Sequence, residues 1–275
     1  MKKLSIPTLS FITGATTAIS LLLRLICLFF FHDSIGYYKT GAVLPIISNI
    51  LFALSIVFFF VATILCIDKK QSVEPTHVLS QYVAILPVGA IIFHVIRIFS
   101  TPFNDTNVNK YLLTLSAVIT AVFFLLLSLS NKKYKTVTFY VGLGALIYVF
   151  LLWMYAYFDF VIPINSTDKI FFYLACAAAV LFIFNEMCAC VGFVRSRFYY
   201  FSLFTSIITL SVASVSAIIG YICGVFKAYI TLEADVFFVT LLVFAITRLI
   251  DAQKSTVKND TATDDTEENF ANDSE

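Results

Sequence analysis

Long apolar stretches separated by short polar connections run through most of this 275-residue chain. A membrane helix needs roughly 20 mostly apolar residues to cover about 30 Å. Unpaired backbone groups find no partner in lipid, so stretches of this length are expected to be helices. The pattern predicts an all-α polytopic membrane bundle of eight transmembrane helices, over residues 8–31, 44–67, 79–99, 111–129, 137–158, 170–193, 201–225 and 229–250.

Two of these spans carry irregularities. Glu233 and Asp235 interrupt the start of the last span, which leaves an uninterrupted apolar core only over residues 236–247. Seven or nine spans are therefore the alternatives to eight. Pro87 lies deep enough in the third span to kink that helix, because proline removes a backbone hydrogen bond.

Basic residues favour alternate connections, which indicates the orientation. Lys and Arg collect in cytoplasmic connections of membrane proteins. One side would carry Lys2, Lys3, Lys69, Lys70, Lys132, Lys133, Lys135, Arg195, Arg197, Arg248, Lys254 and Lys258. The other side would carry the smaller set Lys39, Arg97, Lys110, Lys169 and Lys227. The bias predicts that both termini are cytoplasmic.

The two ends of the chain differ in character. The apolar run that follows Lys3 continues to about Phe31, which is longer than the core of a signal peptide, so we expect an uncleaved first span. A cleaved signal peptide is the alternative. Residues 1–250 would form the transmembrane domain, and residues 251–275, rich in Asp, Glu, Thr and Asn, would form a disordered acidic cytoplasmic tail.

The composition supports a membrane location, and the sequence lacks several common catalytic motifs. Hydrophobic residues make up 60% of the chain and charged residues 13%, with a mean hydropathy of +0.93, whereas soluble domains hold about a quarter charged residues. The apolar composition indicates a lipid bilayer as partner, and with a net charge of +1 and no basic block outside the connections we expect no nucleic acid partner. The sequence lacks H-E-x-x-H, G-x-S-x-G and P-loop motifs. We therefore expect neither a metal nor a cofactor, and enzymatic activity is not expected.

Three side chains that can be cationic share the outer half of the predicted membrane. Arg24 lies about 22 Å along an outward-running helix, and His94 and Arg97 reach a similar depth in the third span. Guanidinium groups suit carboxylate or phosphate ligands. The predicted ligand-binding residues are Arg24, His94, Arg97 and Tyr155, and their ligand would be a small anionic solute.

The alternative is that these charges are structural. Arg97 would then extend its head group to the interface. Arg24 would pair internally with one of the acids Asp33, Asp159, Glu233 or Asp235. A polar residue in a membrane helix generally faces the protein interior, which both interpretations satisfy.

A second polar group lies near the cytoplasmic face. Glu186 stands about 24 Å from the outer end of the sixth span, too far in depth to pair with Arg24. We predict a cytoplasmic-side polar clamp made of Asn185, Glu186, Arg195, Arg197 and Arg248, with a proton-carrying Glu186 as the alternative. Ser and Thr residues of the first and seventh spans suit interhelical hydrogen bonds.

Two short motifs resemble those of a known group of proteins. They are Asp33-x-x-Gly36-Tyr37-Tyr38 after the first span, and Asn185-Glu186 followed by Gly192-x-x-Arg195-x-Arg197. Both are similar to features of uncharacterised multi-pass membrane proteins from Gram-positive anaerobic bacteria. The resemblance implies a location in the bacterial cytoplasmic membrane and adds no activity.

Two functions fit these observations. The first is a transporter or permease-like protein that moves a small solute, anionic if it binds the outer arginines. The second is a non-catalytic sensor or assembly subunit in which the buried charges are structural. Gly220 and Gly224 form a G-x-x-x-G pattern that permits close helix approach, so homo- and hetero-oligomers both stay open.

Overall fold

The structure is a computed structural model that describes residues 5–33, 37–67, 78–100, 110–129, 134–159, 166–225 and 232–272, apart from the side chains of residues 78 and 254–272. The described residues are almost entirely helical, as the apolar pattern predicts. The helices are α1 Ile6–Phe31, α2 Val43–Cys66, α3 Val78–Val83, α4 Leu86–Ser100, α5 Lys110–Leu129, α6 Lys135–Phe158, α7 Thr167–Cys190, α8 Ser196–Leu210, a π-helical segment Ser211–Val215, α9 Ser216–Ile222 and α10 Leu232–Asn272.

Within the described part of the chain, seven helical stretches are long and apolar enough to cross a membrane. They are Ile6–Phe31, Val43–Cys66, Leu79–Ser100, Lys110–Leu129, Lys135–Phe158, Thr167–Cys190 and Ser196–Ile222. Many large apolar side chains are exposed on the outside of the bundle, including Phe11 at 79% and Ile222 at 75%. A surface of this kind is compatible with surrounding lipid.

The eighth predicted span falls on α10, which is not among those seven stretches. The first part of α10 is nevertheless buried, since Phe237, Phe238, Leu241, Phe244 and Ala245 are all inaccessible. The backbone of α10 continues as a helix to Asn272. The count of eight spans, the position of both ends and the disorder of residues 251–275 all stay predictions.

Pro87 splits the third span into two helices. α3 ends at Val83 and α4 begins at Leu86, with a turn over residues 84–85. Proline lacks a backbone N–H and disfavours the α conformation of the residue before it. A bend at this position agrees with the predicted kink.

The most buried of the seven membrane-length stretches is Ser196–Ile222, which contains α8, the π segment and α9. In its most apolar window 78% of the residues are buried, against 22% in α1 and in α2. α8 packs against α7, α10, α2 and α1. This helix therefore forms the centre of the bundle, while α1 and α2 lie at its edge.

A tight turn brings α8 back along α7. Gly192 has a φ of 76°, a left-handed conformation that glycine adopts without a steric penalty. The N–H of Phe193 donates to the carbonyl of Cys188 over 2.9 Å, which closes the end of α7. The antiparallel pair that results places Tyr199 of α8 beside Glu186 of α7.

α7 and α10 run in the same direction. Phe172 contacts Phe238 near the beginning of both helices, with ring centroids 5.6 Å apart. Phe182 contacts Phe244 further along, with centroids 5.5 Å apart. The alignment continues to Glu186 and Arg248, so the start of α10 lies at the same end of the bundle as the start of α7.

Candidate functional site

Arg24 lies in a buried cluster between α1, the connection that follows it and the start of α7. The side chain is 2% exposed. Its Nη2 donates to Asp168 Oδ1 over 2.6 Å, and its Nη1 donates to the hydroxyl of Tyr38. The guanidinium also stacks over the ring of Phe171 at 4.3 Å. These contacts neutralise the Arg24 charge and engage both of its terminal nitrogens, whereas its Nε is buried without a hydrogen-bond partner among the described residues.

Local structure brings the partners of Arg24 together. A bridge between His32 and Tyr38 folds the connection back after α1, which carries the Tyr38 phenol to the guanidinium. Ser166 caps α7 by accepting from the N–H of Lys169, so Asp168 lies in the first turn. The positive end of the helix dipole stabilises a carboxylate there. Asp168 Oδ2 also lies 2.9 Å from His32 Nε2.

One further side chain, Lys169, belongs to this Arg24 cluster, and Tyr38 keeps its proton there. The Nζ of Lys169 donates to the carbonyl of Asp159, which joins the start of α7 to the end of α6. Burial raises the pKa of the Tyr38 phenol, and the nearby charge of Arg24 opposes that rise. The phenol therefore stays protonated at neutral pH and can act as a donor as well as an acceptor.

His94 and Arg97 belong to other parts of the bundle. His94 Nδ1 lies 2.5 Å from the hydroxyl of Tyr148 on α6, and both side chains are buried. The Nε of Arg97 donates to Glu233 Oε1 of α10 over 2.8 Å, with Arg97 47% exposed. Tyr155 is half-buried near the end of α6. The charge of Glu233 acts on His94, Arg97 and Tyr155 alike, so these three residues lie around one carboxylate, whereas Arg24 pairs with Asp168.

Asp168, the acid that pairs with Arg24, is not one of the four acids that the sequence suggests as its partner. The predicted sixth span began at residue 170, which left Asp168 in a polar connection. In the structure α7 begins at Thr167, so Asp168 becomes a helix residue that points at α1. Ser166 is the sequence signal for this earlier helix start, because serine is a preferred N-cap residue.

A second buried ion pair joins α7 to α10 at the opposite end of the bundle. The Nε of Arg248 donates to Glu186 Oε1 at 3.0 Å and to Glu186 Oε2 at 3.1 Å, with both side chains nearly inaccessible. The hydroxyl of Tyr199 donates to Glu186 Oε1 over 2.7 Å. Arg248 Nη2 and Asp251 Oδ2 are buried without a hydrogen-bond partner among the described residues.

The other predicted clamp residues make separate contacts. Asn185 Nδ2 donates to the carbonyl of Leu181 in its own helix. Arg197 Nε donates to the carbonyl of Ile67 at the end of α2, over 2.8 Å. Arg195 is exposed at the N-cap of α8. Of the five predicted residues, Glu186 and Arg248 are therefore the two that contact each other through their side chains.

A row of buried hydroxyls lies on α8 and the π segment, within the seventh predicted span, whose Ser and Thr residues are expected to form interhelical hydrogen bonds. Ser202, Thr205, Thr209 and Ser214 are 0%, 6%, 3% and 0% exposed. Each of their side-chain oxygens is buried and has no hydrogen-bond partner within the described part of the chain. The spacing of three and four residues between Ser202, Thr205 and Thr209 marks one helical face, which is the signal that identifies the row.

The α7 helix borders this row. The hydroxyl of Ser206, on the same face of α8, donates to the carbonyl of Ala178 over 3.0 Å. Ser214 continues the row through the π segment, because it follows Thr209 by five residues, the hydrogen-bonding repeat of a π-helix. We call Ser202, Thr205, Thr209 and Ser214 the hydroxyl row. Its length is about 18 Å at 1.5 Å per residue.

The described residues contain no cluster of three or more His, Cys, Asp or Glu side chains that could hold a metal ion. All six cysteines are free thiols in the structure. Among the described residues, the polar groups that bear on the proposed function are the Arg24–Asp168 and Glu186–Arg248 ion pairs and the hydroxyl row.

No family model, curated protein or solved structure matches this chain.

Proposed function

We propose that the protein is a transporter for a small polar solute and that it binds the solute along the hydroxyl row of α8. The single observation that carries this proposal is the row itself. Four hydroxyls are buried in the most central helix of an apolar bundle without a partner among the described residues. A buried hydroxyl without a hydrogen bond costs about 1–3 kcal/mol, and a polar ligand would remove that cost.

The interruption of the helix supports a binding role for this face. π-helical turns inside α-helices are frequent at functional sites. Transporters often bind their substrates where a membrane helix is interrupted. The π segment Ser211–Val215 begins two residues after Thr209 and contains Ser214, so the irregular backbone adjoins the unpartnered hydroxyls.

In this proposal the two buried ion pairs act as gates, one at each end of α7. Arg24–Asp168 joins α1 to the beginning of α7, and Glu186–Arg248 joins the end of α7 to α10. Both pairs involve α7, which borders the hydroxyl row through Ala178. With both pairs formed, the described conformation would be closed at both ends, and opening to one side would require one pair to separate.

The membrane arrangement is part of the same proposal. We place the protein in the bacterial cytoplasmic membrane with eight spans and both termini in the cytoplasm. The parallel course of α7 and α10 supports this, because an eight-span chain with a cytoplasmic start sends its sixth and eighth spans in the same direction. The basic residues of alternate connections support the same orientation.

A thermal-shift screen of the purified protein tests the proposal. Small polar metabolites, including polyols, amino acids and carboxylates, would be added to the protein in detergent. We expect a stabilising compound, and we expect Thr205→Val and Thr209→Val to weaken its binding about ten-fold each by removing one hydrogen bond. Thr120→Val is the matched control, since Thr120 is equally buried and its hydroxyl donates to Ser116 of its own helix.

Two outcomes would contradict the proposal. One is a screen in which no compound stabilises the protein. The other is a stabilising compound that binds wild type, Thr205→Val and Thr209→Val with equal affinity. If an anionic compound stabilises wild type and no longer stabilises Arg24→Ala, its binding site would instead be the Arg24 cluster. The compound would have to displace Asp168 from Arg24 there.

The second candidate function is a non-catalytic sensor or assembly subunit. The observation that favours it is the pairing of Arg24, Arg97 and Arg248 with Asp168, Glu233 and Glu186, respectively. Arginines that are each neutralised by an acid of the same chain suit a structural role. Under this function no small solute would stabilise the protein, whereas substitutions in the buried pairs would still lower its melting temperature.

A further inference from the structure

The hydroxyl row leads to a buried carboxylate. Tyr199 lies three residues before Ser202 and therefore on the same side of α8. Its hydroxyl donates to Glu186 Oε1 over 2.7 Å. A line of oxygen atoms thus runs along α8 from Ser214 in the π segment to Glu186 near the far end of α7.

The spacing of Ser202, Thr205 and Thr209, which lie three and four residues apart, matches bridging by single waters. The steps to Ser214, five residues further on, and to the Tyr199 hydroxyl, at the far end of its ring, are longer and need more than one water. Residues three or four apart on a helix have Cβ atoms about 5–6 Å apart. Two hydrogen bonds through one water, each about 2.8 Å long, cover the same distance. A hydroxyl both donates and accepts, so waters placed between these hydroxyls would complete a continuous hydrogen-bonded file. Buried polar groups without a protein partner are the usual positions of such waters.

We propose that this file conducts protons between the π segment and Glu186, and that the proton is the coupling ion of the transporter. This inference rests on the proposed function and names the ion that drives it. Each hydroxyl or water accepts a proton on its oxygen and releases another to its neighbour. At the inner end the proton forms an O–H bond with a carboxylate oxygen of Glu186, and Arg248 keeps its own protons.

Protonation of Glu186 would couple to opening of the inner gate. Separating Glu186 from Arg248 leaves a charged carboxylate buried in the bundle, which is strongly unfavourable. A proton on Glu186 removes that negative charge. The positive charge that stays on Arg248 can then be balanced by Asp251, a buried carboxylate one turn further along α10. The Tyr199 hydroxyl can then rotate and accept a hydrogen bond in place of donating one.

Several groups around Glu186 set the electrostatic conditions for this step. They are Arg248 and Asp251 on α10, Tyr199 on α8, Cys190 on α7 and Lys135 at the start of α6. At the outer end the π segment packs against α1, α7 and α10. Asp235 of α10 is a buried carboxylate one turn before Phe238, and it belongs to the same end of the bundle.

Proton flux in reconstituted liposomes tests the inference. The full-length protein would be reconstituted with a pH-sensitive dye inside the vesicles, and a potassium diffusion potential would drive protons inward. We expect wild-type flux well above that of protein-free vesicles. Thr209→Val and Ser214→Ala should each lower it about ten-fold, because each removes one member of the file. Glu186→Gln should abolish it, and Thr120→Val should retain wild-type flux.

The outcomes separate this inference from the proposed function. Wild-type flux equal to that of protein-free vesicles, or equal flux in wild type, Thr209→Val and Ser214→Ala, overturns the proton path. A solute that still stabilises the protein in that case leaves the proposed function standing. If Glu186→Gln fails to fold, the fluxes of Thr209→Val and Ser214→Ala test the proton path, because these substitutions change the size of the side chain little.

Discussion

Glu186 on α7 and Arg248 on α10 form a buried ion pair in which one guanidinium nitrogen reaches both carboxylate oxygens, at 3.0 and 3.1 Å. Tyr199 of α8 donates to the same carboxylate. Three central helices therefore meet at one charged group in an otherwise apolar bundle. The arrangement makes the stability of the fold depend on both charges being present together.

Removing one charge of this pair should destabilise the protein more than removing both. Glu186→Gln leaves Arg248 buried without its counter-ion, and such a change costs about 3–5 kcal/mol. The double variant Glu186→Gln/Arg248→Gln should recover most of that loss. Melting temperatures of the two single variants and the double variant in detergent measure the effect. Additive losses in the double variant would show that the two side chains are not energetically coupled.

The Arg24–Asp168 pair should behave in the same way at the other end of α7. Asp168→Asn keeps the size of the side chain and removes its charge, so we expect a large fall in melting temperature. Tyr38→Phe removes one hydrogen bond to Arg24 and should cost about 1 kcal/mol. Substituting Arg97→Gln is the matched control, because that arginine is half exposed and exposed pairs contribute little. Equal losses in all three variants would contradict this assignment.

Close packing of α6 on α7 requires glycine at position 142. A Cβ there would lie 2.4 Å from Met187 Cγ and 2.9 Å from Phe123 Cε2. Gly142→Ala should therefore destabilise the bundle by about 1–3 kcal/mol through overpacking. Gly89→Ala in α4 is the control, since a Cβ there meets no atom within 4 Å, and alanine favours a helix. Denaturation of both variants would be compared with wild type.

The eight-span arrangement predicts that reporters fused to either end of the chain face the cytoplasm. A phosphatase fusion, active only outside, should be inactive at both termini, and a fluorescent protein that folds only inside should be bright at both. A fusion in the connection after α1 should give the reverse result. Opposite compartments for the two termini would remove α10 as a crossing helix and reduce the count to seven.

Much of the bundle could be predicted from the sequence because each helix is specified locally. The apolar runs matched the seven membrane-length helices to within a few residues at most ends, and Pro87 marked the break between α3 and α4. Depth along the helices also separated Glu186 from Arg24. These inferences depend on helix length and rise, which neighbouring helices do not change.

The partners of the buried charges were harder to foresee. A shift of three residues at the start of α7 decided whether Asp168 belonged to a connection or to a helix that faces Arg24. Arg97 pairs with Glu233, although the two residues are 136 positions apart. Such contacts depend on which helices are neighbours and on how each is rotated, and neither property follows from apolar runs that resemble one another.

The chain alone determined that this protein is a bundle of apolar helices with its few charges at restricted depths, because lipid requires every backbone group to be paired within its own helix. Only the tertiary structure decided which charge meets which, and that α8 turns a row of hydroxyls inward through a π-helical segment. Helix rotation and neighbour choice come from side-chain packing between distant segments, and that packing has no local signature in the sequence.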